Sequence, residues 1–292
     1  MEATVLPQQL KERKSNELDI IDFYDNATED YAFWSKDFNM HFGYFKWWKT
    51  NLFKRDTMLN QMNHQVLERL ELPNKKALVA DLGCGMGGTM RYALKQFKTL
   101  SAIGVTLSDF QVKQGNRFLK NLRAIILKEN YNHTSLATES CDGALAIESF
   151  CHSGHDYNSF KEAHRILKKG GKLVIADAFL KVAPDELGSS GLWSYNNLCQ
   201  HWSLQRLGDI QTVKRQLEHV GFRTLQIEDM SFRVAPSVLH VPFAILGFII
   251  KTLFKRKKLK KESLHNLKGS FYALLSGLHF KSFGYYLITC TK

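Results

Sequence analysis

Two short stretches of this 292-residue chain put chemically capable side chains at informative spacings. The first is Asp81-Leu82-Gly83-Cys84-Gly85-Met86-Gly87-Gly88, set between an apolar run and an amphipathic one. Glycines there permit a tight strand-to-helix turn and close approach of a ligand, and the helix start offers unpaired N–H groups. A bare Gly-x-Gly also fits dinucleotide enzymes and purely structural turns. The Asp81 carboxylate narrows the choice, because it repels a pyrophosphate and attracts an ammonium or a sulfonium. The second stretch is Ala146-Ile147-Glu148-Ser149-Phe150-Cys151-His152. Glu148 and His152 end another apolar run, where a carboxylate and an imidazole can position an acceptor or take up a proton. The competing reading makes Glu148 a helix cap and His152 a packing residue.

These groups converge only if the chain alternates strands and helices in the right order. Short apolar runs at 77–83, 101–107, 123–127, 143–148 and 171–179 predict strands, separated by helices at 88–97, 109–122 and 160–169. Further helices are expected at 56–70, 205–219, 236–254 and 263–280, and strands at 222–230 and 284–290. The fold class that follows is α/β, Rossmann-like: a seven-stranded, mostly parallel sheet with helices on both faces and a helical cap. Such sheets bind ligands at the carboxyl ends of their strands, where Asp81, Glu148 and His152 fall. One domain over 1–292 is the simplest division, with a helical lid in 1–75, a cofactor-binding core in 76–180, and a substrate cap with the last strands in 181–292.

The Asp81–Gly88 stretch resembles motif I of class I S-adenosylmethionine-dependent methyltransferases. Gly104-Val105-Thr106-Leu107-Ser108 with Gln111 resembles the second-strand motif of their small-molecule branch, which includes sterol, tocopherol and cyclopropane-fatty-acid methyltransferases. The Glu148 stretch and Arg165-Ile166-Leu167-Lys168-Lys169-Gly170-Gly171 resemble the end of strand four and the entry to strand five. The resemblance spans about residues 77–180. It implies S-adenosyl-L-methionine as cofactor, held by Tyr24, Tyr31, Asp81, Gly83, Cys84, Gly85, Thr106, Leu107, Ser108, Gln111, Tyr131 and Glu148. Many relatives bind the ribose through an acid at the position of Thr106, so ribose recognition here must use other groups. Near the adenine, Asn130 can accept from the exocyclic amine, with Glu129 as its rival. Glu148, His152, His41 and Tyr44 are the implied catalytic or acceptor-side residues.

Aromatics are concentrated over residues 16–50, which fits either helices covering the sheet or a lid that excludes water. Trp193, Tyr195 and Trp202 fall where the resembling family carries its substrate cap. With that aromatic wealth, the likeness to sterol methyltransferases implies a small lipophilic acceptor and methylation at carbon. N- or O-methylation of a polar metabolite is the alternative. A nucleic-acid substrate is not expected, since the five prolines include no adjacent pair of the kind used in amino-group methylation.

Five scattered cysteines without a Cys-x-x-Cys pair suggest a reducing, cytoplasmic setting, and no metal-ligand spacing occurs among the histidines. The N-terminus lacks the apolar core of a secretion signal. Net charge is +12, and residues 230–292 hold eleven Lys or Arg against one acid. There, an apolar segment at 241–254, too short by itself to span a bilayer, precedes the basic run 255–261. Peripheral contact with an anionic membrane through 241–261 is the expectation, against a buried cap helix with a solvated basic turn.

Overall fold

The computed structural model describes residues 17–27, 31–254 and 261–292. The N-terminal 1–16 and most of the basic run, 255–260, lie outside the described residues.

The sheet has seven strands in the order β3-β2-β1-β4-β5-β7-β6. These are β1 (Ala77–Leu82), β2 (Leu100–Thr106), β3 (Ala124–Lys128), β4 (Cys141–Ile147), β5 (Leu167–Leu180), β6 (Arg223–Asp229) and β7 (Phe283–Thr291). The first five pair in parallel, and β7 runs antiparallel to both β5 and β6. Strand order reverses between β1 and β4, so the crevice beyond their carboxyl ends is the ligand edge of the sheet.

Apolar side chains fill both faces, as the near-continuous hydrophobic strands require. On one face, Phe160, Ile166, Val213 and Leu217 bring α6 (Tyr157–Ile166) and α8 (Ile210–Val220) onto the sheet. On the other, Met62, Val66, Leu67 and Leu70 anchor α3 (Arg55–Arg69). Helix starts are fixed by side-chain caps: Ser108 accepts from Gln111 N at α5 (Asp109–Phe118), Asp156 from Ser159 N at α6, and Asp209 from Thr212 N at α8. Arg165, from the motif entering strand five, is bound within the fold by Glu162 and the Leu136 carbonyl.

Several sequence expectations are corrected at their ends. The helix expected through 169 stops at Ile166, because Leu167 already pairs with Cys141 and Gly170 N donates to Lys292 O. The helix expected over 109–122 ends at Phe118, just before a left-handed Asn121. The helix expected from 205 starts at Ile210, since Gly208 is held as backbone partner of Leu180 and of the His155 ring. The segment expected over 236–254 forms two helices, α9 (Ser231–Val238) and α10 (Val241–Phe254). Ser231–Ile250 is long and apolar enough to cross a membrane by length and composition, with mean hydropathy 1.7.

The cap consists of α7 (Ser189–His201) and α11 (Lys261–Leu278), packed through Leu192, Tyr195, Leu198, Tyr272 and Phe283. The N-terminal segment adds α1 (Glu17–Ala27) and the short α2 (Tyr31–Trp34), with α4 (Gly88–Gln96) following the glycine turn.

Candidate active site

β1 ends at a turn whose backbone only glycine adopts readily. Gly83 and Gly85 have φ of +93° and +53°. A Cβ on Gly83 would fall 2.3 Å from Ser149 Cβ, so this turn touches the end of β4 directly. Ser149 Oγ strengthens the junction by donating to Leu82 O at 2.6 Å. The turn leaves Asp81 buried, and its Oδ2 atom has no hydrogen-bond partner. Burial with no compensating cation raises its carboxyl to about 7. An orphaned buried acceptor of this kind calls for a cationic donor group, which the amino-acid end of S-adenosylmethionine carries.

Around Asp81 lies a cavity of about 80 Å³ lined by Gly83, Cys84, Gly85, Leu107, Ser108 and Tyr131, among others. Thr106 Oγ1 donates to Gln111 Oε1 at 2.5 Å, and both residues face the same space. Ser108 Oγ donates to the Asp25 carboxylate, which ties α1 to this wall. Tyr131 donates to Ser149 O at 3.0 Å. A second cavity, of about 350 Å³ and lined mainly by apolar side chains, lies under the cap and α9–α11. Tyr24, Met40, His41, Glu148 and His152 line both spaces, so a group passing from one to the other passes these side chains.

Glu148 sits at this junction with a left-handed φ of +48°, a conformation that non-glycine residues adopt at a cost. Its Oε1 accepts from Phe42 N at 2.7 Å and from the Tyr285 hydroxyl at 2.9 Å. Burial outweighs those donors and raises its carboxyl to about 8, with nearby Asp177 adding to the rise. His152 Nε2 lies 2.7 Å from the Tyr24 hydroxyl, and burial lowers its basicity. His41 is buried, with its ring nitrogens 2.8 Å from Phe42 O and 3.0 Å from Asn63 Oδ1.

Not every expected site residue comes to these cavities. Tyr44, expected beside the acceptor, packs in the core with Met62 and Val66 and lines neither space. Its backbone is pinned to Met58 O, which turns the ring inward. Glu129 binds Ser135 through N and Oγ, and Asn130 Oδ1 accepts from Asn132 N; neither lines the cofactor cavity. Of Tyr31, only its place in α2 is described. Among the cap aromatics, Trp202 lines the apolar cavity, Tyr195 is buried in the cap core, and Trp193 is half-exposed against Tyr272.

Sequence reasoning missed Met40, Asp177 and Tyr285, all of which line these spaces. Asp177 Oδ2 accepts from Cys151 N at 3.0 Å and lies 3.2 Å from His155 Nε2, with both side chains almost fully buried. His155 Nδ1 accepts from Gly208 N, which assigns the ring proton to Nε2, an atom close to the carboxylate but without a hydrogen-bond partner. Asp177 interrupts an otherwise apolar strand, and that interruption is the one sequence signal that marks it. No group of three or more metal-ligating side chains occurs among the described residues.

Residues 80–175 match the family model described as a methyltransferase domain. The cycloartenol C-24-methyltransferase of Arabidopsis thaliana is 29% identical over 55% of this chain and 47% of its own. The chain therefore spans about half the length of that relative. A sterol 24-C-methyltransferase of Candida albicans is 26% identical over 72% of this chain and 55% of its own. In fold, the chain is similar to a cyclopropane synthase of Mycobacterium tuberculosis, with TM-score 0.78, 16% identity, and coverage of 97% of this chain and 100% of that one. It is also similar to a geranyl diphosphate C-methyltransferase of Streptomyces coelicolor A3(2), with TM-score 0.71, 18% identity, and coverage of 96% and 98%.

Proposed function

The chain belongs to the class I S-adenosylmethionine-dependent methyltransferases, and from that premise we propose that it methylates a neutral, lipophilic acceptor of sterol or isoprenoid character at carbon. One observation carries this reading. The 350 Å³ apolar cavity joins the cofactor space at Glu148 and His152, and no Lys or Arg is found among its described lining residues. A diphosphate or other anionic head group would meet Glu148 and Asp177 there with no cation to offset them. Names of the similar proteins point the same way, since they include sterol and isoprenoid C-methyltransferases.

The cofactor supplies a methyl group on a positively charged sulfur. Asp81 binds the cationic amino-acid end, and the glycine turn brings the backbone close against it. Ile147, Ser149 and Tyr131 form the wall toward β4. Met40, His41 and Phe42, together with α9–α11, close the acceptor space and exclude water, which strengthens each charge interaction inside. Methylation at an alkene carbon leaves positive charge on the acceptor, which the ring faces of Tyr24, Phe42, Trp202 and Tyr285 stabilise. Glu148 takes up the departing proton at its carboxylate, and Tyr285 and Phe42 N hold that carboxylate in place. The Tyr24–His152 pair lies on the same junction as the second proton-accepting group. Peripheral contact of 241–261 with an anionic membrane belongs to the same proposal.

Incubation with methyl-labelled cofactor and a fractionated lipid extract, followed by mass spectrometry, tests the reading. Label is expected in neutral lipids, with the new methyl on carbon. Label confined to polar metabolites, diphosphates or RNA would overturn the acceptor class.

A further inference from the structure

The helices that wall the acceptor cavity are apolar on both sides. Val234, Val238, Val241, Ala244, Ile245 and Phe248 face the cavity. On the opposite side Phe232, Phe243, Leu246, Ile250 and Phe254 follow one another at helical spacing and are exposed, Phe243 to 74%. Only 17% of the apolar window of Ser231–Ile250 is buried in the protein. At Leu239, Leu278 and Phe280, more than half-exposed side chains line the cavity itself, so it reaches the surface among apolar groups.

A second apolar projection, far away in sequence, is stitched to the same helices. Phe45 N donates to Arg233 O at 2.7 Å, Gly43 N donates to Ser237 Oγ at 2.8 Å, and the His240 ring meets Leu52 O at 2.7 Å. The segment between these ties holds Trp47, Trp48, Leu52 and Phe53 outward, Trp48 fully exposed and Phe53 to 87%. Its own bonds, Lys46 N to Thr50 Oγ1 and Phe53 N to Asn51 Oδ1, keep it in shape. The sequence of both segments carries charge of one sign. Residues 43–55 carry four basic residues and no acid, and residues 231–261 carry eight basic residues and no acid.

We infer that Trp47, Trp48, Leu52 and Phe53, together with the outer stripe of α9–α10, form a face that inserts into the interfacial region of an anionic bilayer, and that the acceptor enters the cavity from that bilayer past Leu239. Exposed aromatic and aliphatic side chains in segments rich in lysine and arginine suit the boundary between acyl chains and anionic head groups. A second copy of the chain does not suit this face, because pairing would bring together segments of the same strong positive charge. α9–α10 lies along the surface and does not cross it: its inner side walls the cavity, and it is bonded to the 43–53 loop. The route of entry rests on the lipophilic-acceptor reading; the docking face deepens the membrane contact proposed with it and needs no particular acceptor.

Flotation of the full chain with phosphatidylcholine vesicles, with and without phosphatidylglycerol, tests the inference. Binding is expected with the anionic vesicles and is weakened by salt. The pair Trp48→Ser/Phe53→Ser, and separately Phe243→Ser, are expected to lower partitioning by about tenfold each. None of these three residues lines either cavity, so calorimetric affinity for adenosylhomocysteine should be unchanged in both variants, which also reports that they fold. Undiminished flotation of both variants, or no binding of the parent chain to anionic vesicles, overturns the inference. So does sedimentation that finds a dimer dissociated by the same substitutions. Intact vesicle binding with no methylated lipid product would instead count against the proposed function alone.

Discussion

Glu148 accepts a 2.9 Å hydrogen bond from the hydroxyl of Tyr285, joining the end of β4 to the start of β7 over the intervening strand β5. The bond matters because Glu148 is otherwise destabilised as an anion by burial and by Asp177. Tyr285 and Phe42 N are the donors that favour its charged form.

Glu148→Gln removes the proton-accepting carboxylate while keeping the shape of the junction. Turnover of a neutral lipid acceptor is expected to fall by roughly 10²–10⁴-fold. Adenosylhomocysteine affinity, measured by calorimetry, should change little.

Tyr285→Phe removes a donor that lowers the Glu148 carboxyl, so that carboxyl rises further above about 8. The acid limb of the pH–rate profile is expected near pH 8 in the parent enzyme and at higher pH in the variant. A profile unmoved by the substitution would detach Tyr285 from the proton transfer.

Asp81 requires its charge in order to bind a cation, yet in the unliganded protein it is held at about 7. Cofactor affinity should therefore weaken as pH falls below about 7, by up to tenfold per unit, with a proton released on binding. Asp81→Asn should lose about 10- to 100-fold in affinity and become insensitive to pH in this range. Calorimetry in buffers of different ionisation enthalpy measures both effects.

Asp81 and Glu148 also make the unliganded protein pH-sensitive in stability. Both carboxyls are raised on folding, so the advantage they give the folded state is full below their ordinary range near 4 and is lost progressively as pH climbs from there to about 7 and 8. Asp81→Asn is expected to raise the Tm of the unliganded protein at pH 8 by about 2–5 °C and by clearly less at pH 5. Scanning calorimetry at the two pH values decides this.

Gly83→Ala places a methyl group against Ser149 at a backbone angle alanine resists. A loss of about 2–4 kcal/mol is expected in urea unfolding. Adding Ser149→Gly should recover only part of it, since the contact is relieved and the positive φ is not.

Much of the framework around the crevice is local and therefore legible in the sequence. The Asp81–Gly88 turn, the β1 and β4 runs, and the Glu148–His152 pair announce themselves within a few residues of one another. Tyr285 and Asp177 do not, because only pairing of β5 with β7 brings their ends to the crevice. Helices α9 and α10 mislead for another reason: a segment apolar on every side has no periodicity to tell a cavity wall from an outer surface. Tyr44 shows the opposite error, an aromatic in a rich stripe that serves the core. Glu129 and Asn130 are taken up by their own loop, which strand-end alignment cannot foresee.

The position of β7 has a bearing on biosynthesis. It follows the other six strands in the chain, yet it lies inside the sheet and is the only pairing partner of β6 among the described strands. While the chain emerges from the ribosome, β6 must wait unpaired beside an open edge of β5, and the phenol that steadies Glu148 has yet to arrive. The nascent protein can thus bury much of its core before the Glu148–Tyr285 bond exists, and that open edge is where a stalled product would be most prone to aggregate.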